Sequence, residues 1–193
     1  MDDTRFKILL SSGSDNKTLR VGFLLVPNFS MLAFSSAIEP LRSANRMSEK
    51  QLFEWILSSS DGMPVMASNG VEVAANGDLE DLSTCDIVFA CSGIDVHRHC
   101  TREMLNCLRL VERRGAAIGA ICTGTWLLAK AGLLKDRRCT IHWENHDGLV
   151  EEFPDTINSL PFILSCPAAL RFTSWLNDEK IESFSHMGTL NCR

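Results

Sequence analysis

Five short, largely apolar runs constrain what this chain can fold into: RVGFLLV (20–26), FEWILS (53–58), CDIVFAC (85–91), AAIGAI (116–121) and RCTI (138–141). Each is too short for a buried helix and lacks the strict alternation of a half-solvated strand, so each reads as a strand covered on both faces. Between them lie segments with helical spacing. Met31 to Arg46 carries Phe34, Ala37, Ile38, Leu41 and Ala44 on one side, and Thr101 to Arg114 carries Met104, Leu105, Leu108 and Val111. Gly124 to Ala131 is a third helix, stopped by Gly132. Strands alternating with helices predict one α/β domain whose parallel sheet has helices on both faces. Gly62, Pro64 and Gly70 mark turns, and Val71 to Ala74 alternates as an edge strand does. Residues 1–19 are polar and Ser-rich and read as an N-terminal arm.

In such sheets ligands bind beyond the carboxyl ends of the strands. Asn28, Ser92-Gly93, Cys122 and His142 all fall at strand ends in this assignment. Cys122 is the most informative of them. In GAICTGTWLLAKAGLL (119–134) an apolar run ends on the thiol and turns at once into a helix, with Gly124 removing a side chain where strand and helix approach. A thiol at a helix N-terminus meets unpaired amides that favour its anion. Glu39 precedes Pro40, which lacks an amide hydrogen and disfavours the α conformation before it. The helix is therefore predicted to kink there and to present Glu39 from an irregular turn, where its carboxyl group tunes a nearby thiol. The alternative is an exposed helical glutamate. His142 is likewise either a proton-handling group or a structural histidine.

The 193 residues, 45% hydrophobic, are enough for one substantial core. With a net charge of -5 and 19 scattered Lys and Arg residues, the chain has little grip on phosphate backbones, and no DNA binding by these residues is expected. No apolar segment approaches membrane-spanning length and the N-terminus lacks a signal pattern, which places the chain in the cytoplasm. Eight cysteines without a CxxC spacing read as reduced thiols. His97-Arg98-His99-Cys100 is the one metal-like cluster, but it lacks a matched fourth ligand and reads as a solvated loop leading into a helix. No metal or cofactor is expected.

Four segments in order, FLLVPNFSMLAFSSAIEPLRSANR (23–46), SNGVEV (68–73), the run around Cys122 and CTIHWEN (139–145), carry a family resemblance. Over residues 20–174 the chain closely resembles the class I glutamine amidotransferase-like (PfpI-type) domain of GlxA-like AraC-family transcription regulators. That resemblance implies a flavodoxin-like three-layer α/β sandwich with a mostly parallel sheet. It also implies a cytoplasmic homodimer that senses a small nitrogenous metabolite and binds DNA through a separate helix-turn-helix module. By motif, Cys122 matches the nucleophile-elbow cysteine, Glu39 its acidic neighbour, His142 the histidine near the thiol, and Gly93 a turn whose amide contributes to an oxyanion-hole-like nest. Thr123 and Trp143 complete the ligand-binding residues, and an aromatic face there suits a quaternary ammonium group. Trp126 is expected in the core.

Two departures qualify the resemblance. Enzymes of this superfamily often carry His directly after the nucleophile, whereas this chain has Thr123, which favours sensing over turnover. Arg171-Phe172-Thr173-Ser174 begins the closing segment of the regulators, but residues 175–193, WLNDEKIESFSHMGTLNCR, do not continue it. A truncated or frame-shifted product with a divergent tail and no DNA-binding domain is the expectation. A cysteine-dependent hydrolase or glyoxalase-like enzyme using Cys122, Glu39 and His142 is the alternative, and a purely structural dimerisation module is a third reading.

Overall fold

The computed structural model describes residues 18–158. Residues 1–17 of the expected arm, the RFTS segment and the tail lie outside them, while Leu19, expected to end the arm, opens the first strand. In chain order the elements are β1 (Leu19–Leu25), α1 (Met31–Ser48), β2 (Phe53–Ser58), β3 (Val65–Met66), β4 (Glu72–Val73) and β5 (Ile87–Ser92). They continue with α2 (Val96–His99), α3 (Arg102–Arg113), β6 (Ala117–Cys122), α4 (Thr125–Lys130), β7 (Arg138–Cys139), α5 (His146–Glu152) and β8 (Ile157–Asn158).

Four strands form a parallel sheet in the order β2-β1-β5-β6. The order reverses after β2, so the crevice between β1 and β5 is the topological switch point of the sheet. Right-handed crossovers in opposite directions place their helices on opposite faces. Accordingly Val21, Phe23, Leu25 and Phe89 join Phe34, Ala37 and Leu41 of α1 in one core cluster. Leu24, Val26, Val88 and Ala90 join Met104 and Leu108 of α3 and Trp126 and Leu127 of α4 in the other. The result is the three-layer α/β sandwich expected from the sequence.

Both long helices are capped at their amino ends by side-chain oxygens. Ser30 accepts from the Ala33 amide to open α1, and Thr101 accepts from the Met104 amide to open α3. At the far end of α1, Asn45 exchanges two hydrogen bonds with the Phe53 backbone, at 2.7 and 2.9 Å, which joins helix to strand β2.

Two local expectations are corrected. Pro40 lies inside α1, and the helix continues unbroken from Met31 to Ser48. An internal proline costs about 3 kcal/mol, but burial of Phe34 and Leu41, each worth about 1.5–3 kcal/mol, together with three buried alanines, holds the helix across it. The strand expected at 138–141 is only the two-residue β7, which pairs with β8 in a separate ribbon, so His142 does not end a strand of the central sheet. The edge strand expected at 71–74 is present as β4, which pairs with β3 in an antiparallel hairpin.

Candidate functional site

The carboxyl ends of β1, β5 and β6 converge, and their backbone is held in an unusual conformation. Among the described residues, three of the five non-glycine residues with positive φ lie there: Asn28 (62°), Asp95 (55°) and Cys122 (57°). The left-handed region costs a non-glycine residue roughly 1–2 kcal/mol, and such strain persists where surrounding contacts enforce it.

Those contacts are visible. Ser92 pairs with Cys122 in register, so the ends of β5 and β6 are level. The Thr123 hydroxyl, on a residue only 2% exposed, donates to the Gly93 carbonyl oxygen at 2.6 Å. Gly93 is pressed against the turn after β1. A Cβ there would collide with the Asn28 carbonyl oxygen and sit 2.9 Å from the Ser30 nitrogen. That approach is fastened by hydrogen bonds from the Ile94 amide to the Asn28 carbonyl at 3.1 Å and from the Ser30 amide to the Ser92 carbonyl at 3.4 Å. Gly124 lets α4 start directly over β5, because a Cβ at this position would collide with the Ala90 carbonyl oxygen. The thiol-bearing turn is thereby fixed between two glycine contacts.

Cys122 is half-buried and packs against the cluster beneath α1. Burial pushes Cys85 and Cys107 up to about 11, so both remain protonated core groups at neutral pH.

Thr123 does not offer its hydroxyl to a ligand, since Gly93 already accepts it, and it acts on the site by holding the elbow to the β5 turn. Thr123→Val is expected to leave the Gly93 carbonyl buried without its donor and to lower stability by about 1–3 kcal/mol. Thr123→Ser retains the hydroxyl and should recover most of that loss in chemical denaturation. Equal losses for the two variants would contradict the assignment.

Glu39 stands on the outer side of α1, its side chain 55% exposed and paired with Arg42 at 2.7 Å. The amino end of α1 meets the site, and nine residues of helix place Glu39 about 13 Å further along the axis. The pairing raises the Arg42 pKa, through the hydrogen bond and the charge of Glu39. His142 follows Thr140, whose carbonyl accepts from the Thr125 hydroxyl at 2.7 Å, so its segment is tied to the first residue of α4. Its side chain is 38% exposed with Nδ1 3.7 Å from Glu144 Oε2, and Trp143 beside it is 63% exposed. Gly93, Cys122 and Thr123 are brought together; Glu39 is not. Trp126 is 6% exposed and belongs to the core, edge-on to Phe153 with ring centroids 5.6 Å apart.

Sequence reasoning missed two features. Asn28 Nδ2 lies 3.3 Å from His99 Nε2, which brings the metal-like segment to the end of β1 as short helix α2. Among the described residues, the buried Ser92 hydroxyl has no hydrogen-bond partner. The only sequence signals were Asn28 and Ser92 at strand ends and the run of histidines.

The model of the DJ-1/PfpI family matches residues 20–159. Among curated relatives, the HTH-type transcriptional regulator CdhR of Pseudomonas aeruginosa is 46% identical over 68% of this chain and 39% of its own length. The HTH-type transcriptional regulator GbdR of the same species is 40% identical over 69% of this chain and 36% of its own length. The chain therefore spans well under half the length of these relatives. A solved structure of an AraC family transcriptional regulator from Pseudomonas putida superposes with a TM-score of 0.67 at 30% identity, covering 74% of this chain and 77% of that one. With the matched family model covering every strand of the central sheet and the thiol turn, this chain belongs to the DJ-1/PfpI family.

Proposed function

We propose that this domain is the ligand-sensing part of an AraC-type transcription regulator and that it receives a small nitrogenous metabolite beside Cys122. The observation that carries the reading is the state of the elbow. The residue after the thiol is a buried threonine whose hydroxyl is committed to Gly93, rather than a group able to move protons. Glu39, the expected acidic partner, pairs with Arg42 instead. A threonine committed to a carbonyl and a glutamate committed to an arginine suit a shaped and rigid floor better than the proton-handling roles of a thiol enzyme. The similarity to HTH-type regulators supports the same choice.

In this proposal Gly93, Cys122, Thr123, His142 and Trp143 shape the pocket, Glu39 lies outside its inner wall, and the domain works in the cytoplasm as a homodimer. No helix among the described residues is long and apolar enough to cross a membrane. The net charge of -5 supports assigning DNA contact to a module other than this one. Cofactor and metal have no part in the reading.

The expected result of a thermal-shift screen with amines, amino acids and betaine-like compounds is a saturable rise in melting temperature, about 2.7 kcal/mol of added stability at a hundredfold excess over Kd. A well-folded sample with no response across the panel would count against sensing. Turnover of methylglyoxal or a peptide substrate that Cys122→Ser abolishes would replace this reading with the enzymatic one.

A further inference from the structure

The chain contains two Asn-Gly pairs, Asn69-Gly70 within the SNGVEV segment and Asn76-Gly77 just after it. Asparagine before glycine is open to attack by the next backbone nitrogen, because glycine has no Cβ to shield that nitrogen or restrict its approach. The fold treats the two pairs differently. Asn69 and Gly70 form the exposed tip of the β3–β4 hairpin, where the Gly70 amide donates to the Ala67 carbonyl at 3.0 Å and the Ala67 amide to the Val71 carbonyl at 2.8 Å. Gly70 has φ 82°, and among the described residues nothing lies within 4 Å of a Cβ built on it. Asn69 Oδ1 accepts from the Val71 amide at 3.1 Å. That bond folds the carboxamide back over the Gly70 peptide, which brings Asn69 Cγ toward the Gly70 nitrogen and draws electron density from it. At the second pair, Asn76 Oδ1 accepts from the Leu57 amide at 2.7 Å, and the Asn76 and Gly77 amides both donate to the Leu57 carbonyl, at 2.9 and 3.2 Å. Carboxamide and attacking nitrogen are therefore both tied to the edge of β2. A Cβ on Gly77 would stand 2.7 Å from Ile56 Cγ2 and 2.8 Å from Asp81 Oδ2, so that segment has little room to rotate.

We propose that Asn69 is a self-modification site, converted to isoaspartate and aspartate in the folded protein while Asn76 is protected, and that the change loosens the turn beside the candidate site. The Gly70 nitrogen gives up its proton and bonds to Asn69 Cγ, and the side-chain nitrogen leaves as ammonia. Water then opens the cyclic imide at either carbonyl. The attack requires the Gly70 amide to leave Ala67, a local opening at an exposed hairpin tip that lies at the low end of the range for folded proteins. Isoaspartate routes the main chain through the side-chain carbon and so adds a methylene between positions 69 and 70. The hairpin also holds the turn after β1. The Asn28 amide donates to the Met66 carbonyl at 2.9 Å, and the Ser68 amide donates to the Phe29 carbonyl at 2.9 Å. A lengthened tip shifts Met66 and Ser68 against that turn and weakens both bonds.

Incubation of the full chain at neutral pH, followed by protease digestion and mass spectrometry, tests the proposal. The Asn69 peptide should gain the mass of an amide-to-acid change and accept methyl groups from a protein isoaspartate methyltransferase. The Asn76 peptide should convert more slowly by about tenfold, the scale of one to two hydrogen bonds that must first be released. In urea the two pairs should convert at similar rates, which assigns the difference to the fold. In the isoaspartate-bearing fraction the Asn28 and Ser68 amides should exchange hydrogen about tenfold faster than in fresh protein. Asn69→Asp carries the added charge on an ordinary backbone and should exchange as fresh protein does. Asn76 converting as fast as Asn69 in the folded chain, or neither converting while both do so in urea, would overturn the modification site. Unchanged exchange at Asn28 and Ser68 in the isoaspartate-bearing fraction would overturn its effect on the turn. The natural chain decides both points even if the variant fails to fold.

Discussion

Gly124→Ala is expected to lower the stability of the domain by about 3 kcal/mol or more, at the upper end of overpacking effects. On a domain of this size that is roughly a 10 °C fall in melting temperature. The reason is steric and not conformational. Gly124 has φ -57° and ψ -21°, which any residue adopts. An added Cβ, however, would collide with the Ala90 carbonyl oxygen and lie 2.8 Å from its carbon and 3.0 Å from the Ile121 oxygen. Those atoms are strand backbone and cannot swing aside, so α4 must move off β5 and take the thiol turn with it. Gly124 is the N-cap of α4, where alanine is less favourable than glycine, so no helix propensity offsets the collision. Gly115 is the matching control. It has φ 89° with nothing within 4 Å of an added Cβ, so Gly115→Ala should cost only about 1–2 kcal/mol of backbone strain. Thermal or urea unfolding of the two variants separates the causes, and a Gly124→Ala protein as stable as Gly115→Ala would show that the close approach is unimportant.

Phe34→Ala should destabilise by about 3–5 kcal/mol, as deletion of a buried aromatic ring does. Phe34 is 6% exposed and sits edge-on to both Phe23 and Phe29, with centroids 5.5 and 5.6 Å apart. Phe23 in turn stacks on Phe89 at 5.7 Å, so one ring joins α1 to the two central strands. Helix α1 depends on such contacts because Pro40 removes one of its hydrogen bonds. Hydrogen exchange in Phe34→Ala should therefore accelerate first in the half of α1 after Pro40. Phe29 adjoins Asn28 in the turn at the site, so looser packing there should also weaken ligand stabilisation. Unchanged protection after Pro40 would mean that the helix stands without the aromatic cluster.

The elements that were legible in the sequence are those governed by short-range pattern. The apolar runs around Phe23, Phe89 and Ile121 became the parallel sheet, because continuous burial on two faces admits few other structures. The glycine at 124 was readable for the same reason: it meets a local backbone need. Pro40 misled because its local preference competes with the burial of Phe34 and Leu41, and nothing local reports that balance. Glu39 followed from the same error, since a helix without a kink turns it to solvent and to Arg42. His142 was placed by assuming that 138–141 enters the central sheet, and strand partners are a matter of long-range pairing.

By itself, the sequence determined the layer architecture, the strand-to-helix turn at Cys122 and the need for glycine at 124, since hydrophobic periodicity and backbone sterics act within a few residues. Only the tertiary structure decided which polar groups share the site. It directed the Thr123 hydroxyl to Gly93, Asn28 to His99 and Glu39 away to Arg42. Those partners are separated by 30, 71 and 3 positions respectively. The two long-range meetings depend on the strand order β2-β1-β5-β6, which brings the ends of β1, β5 and β6 together in space.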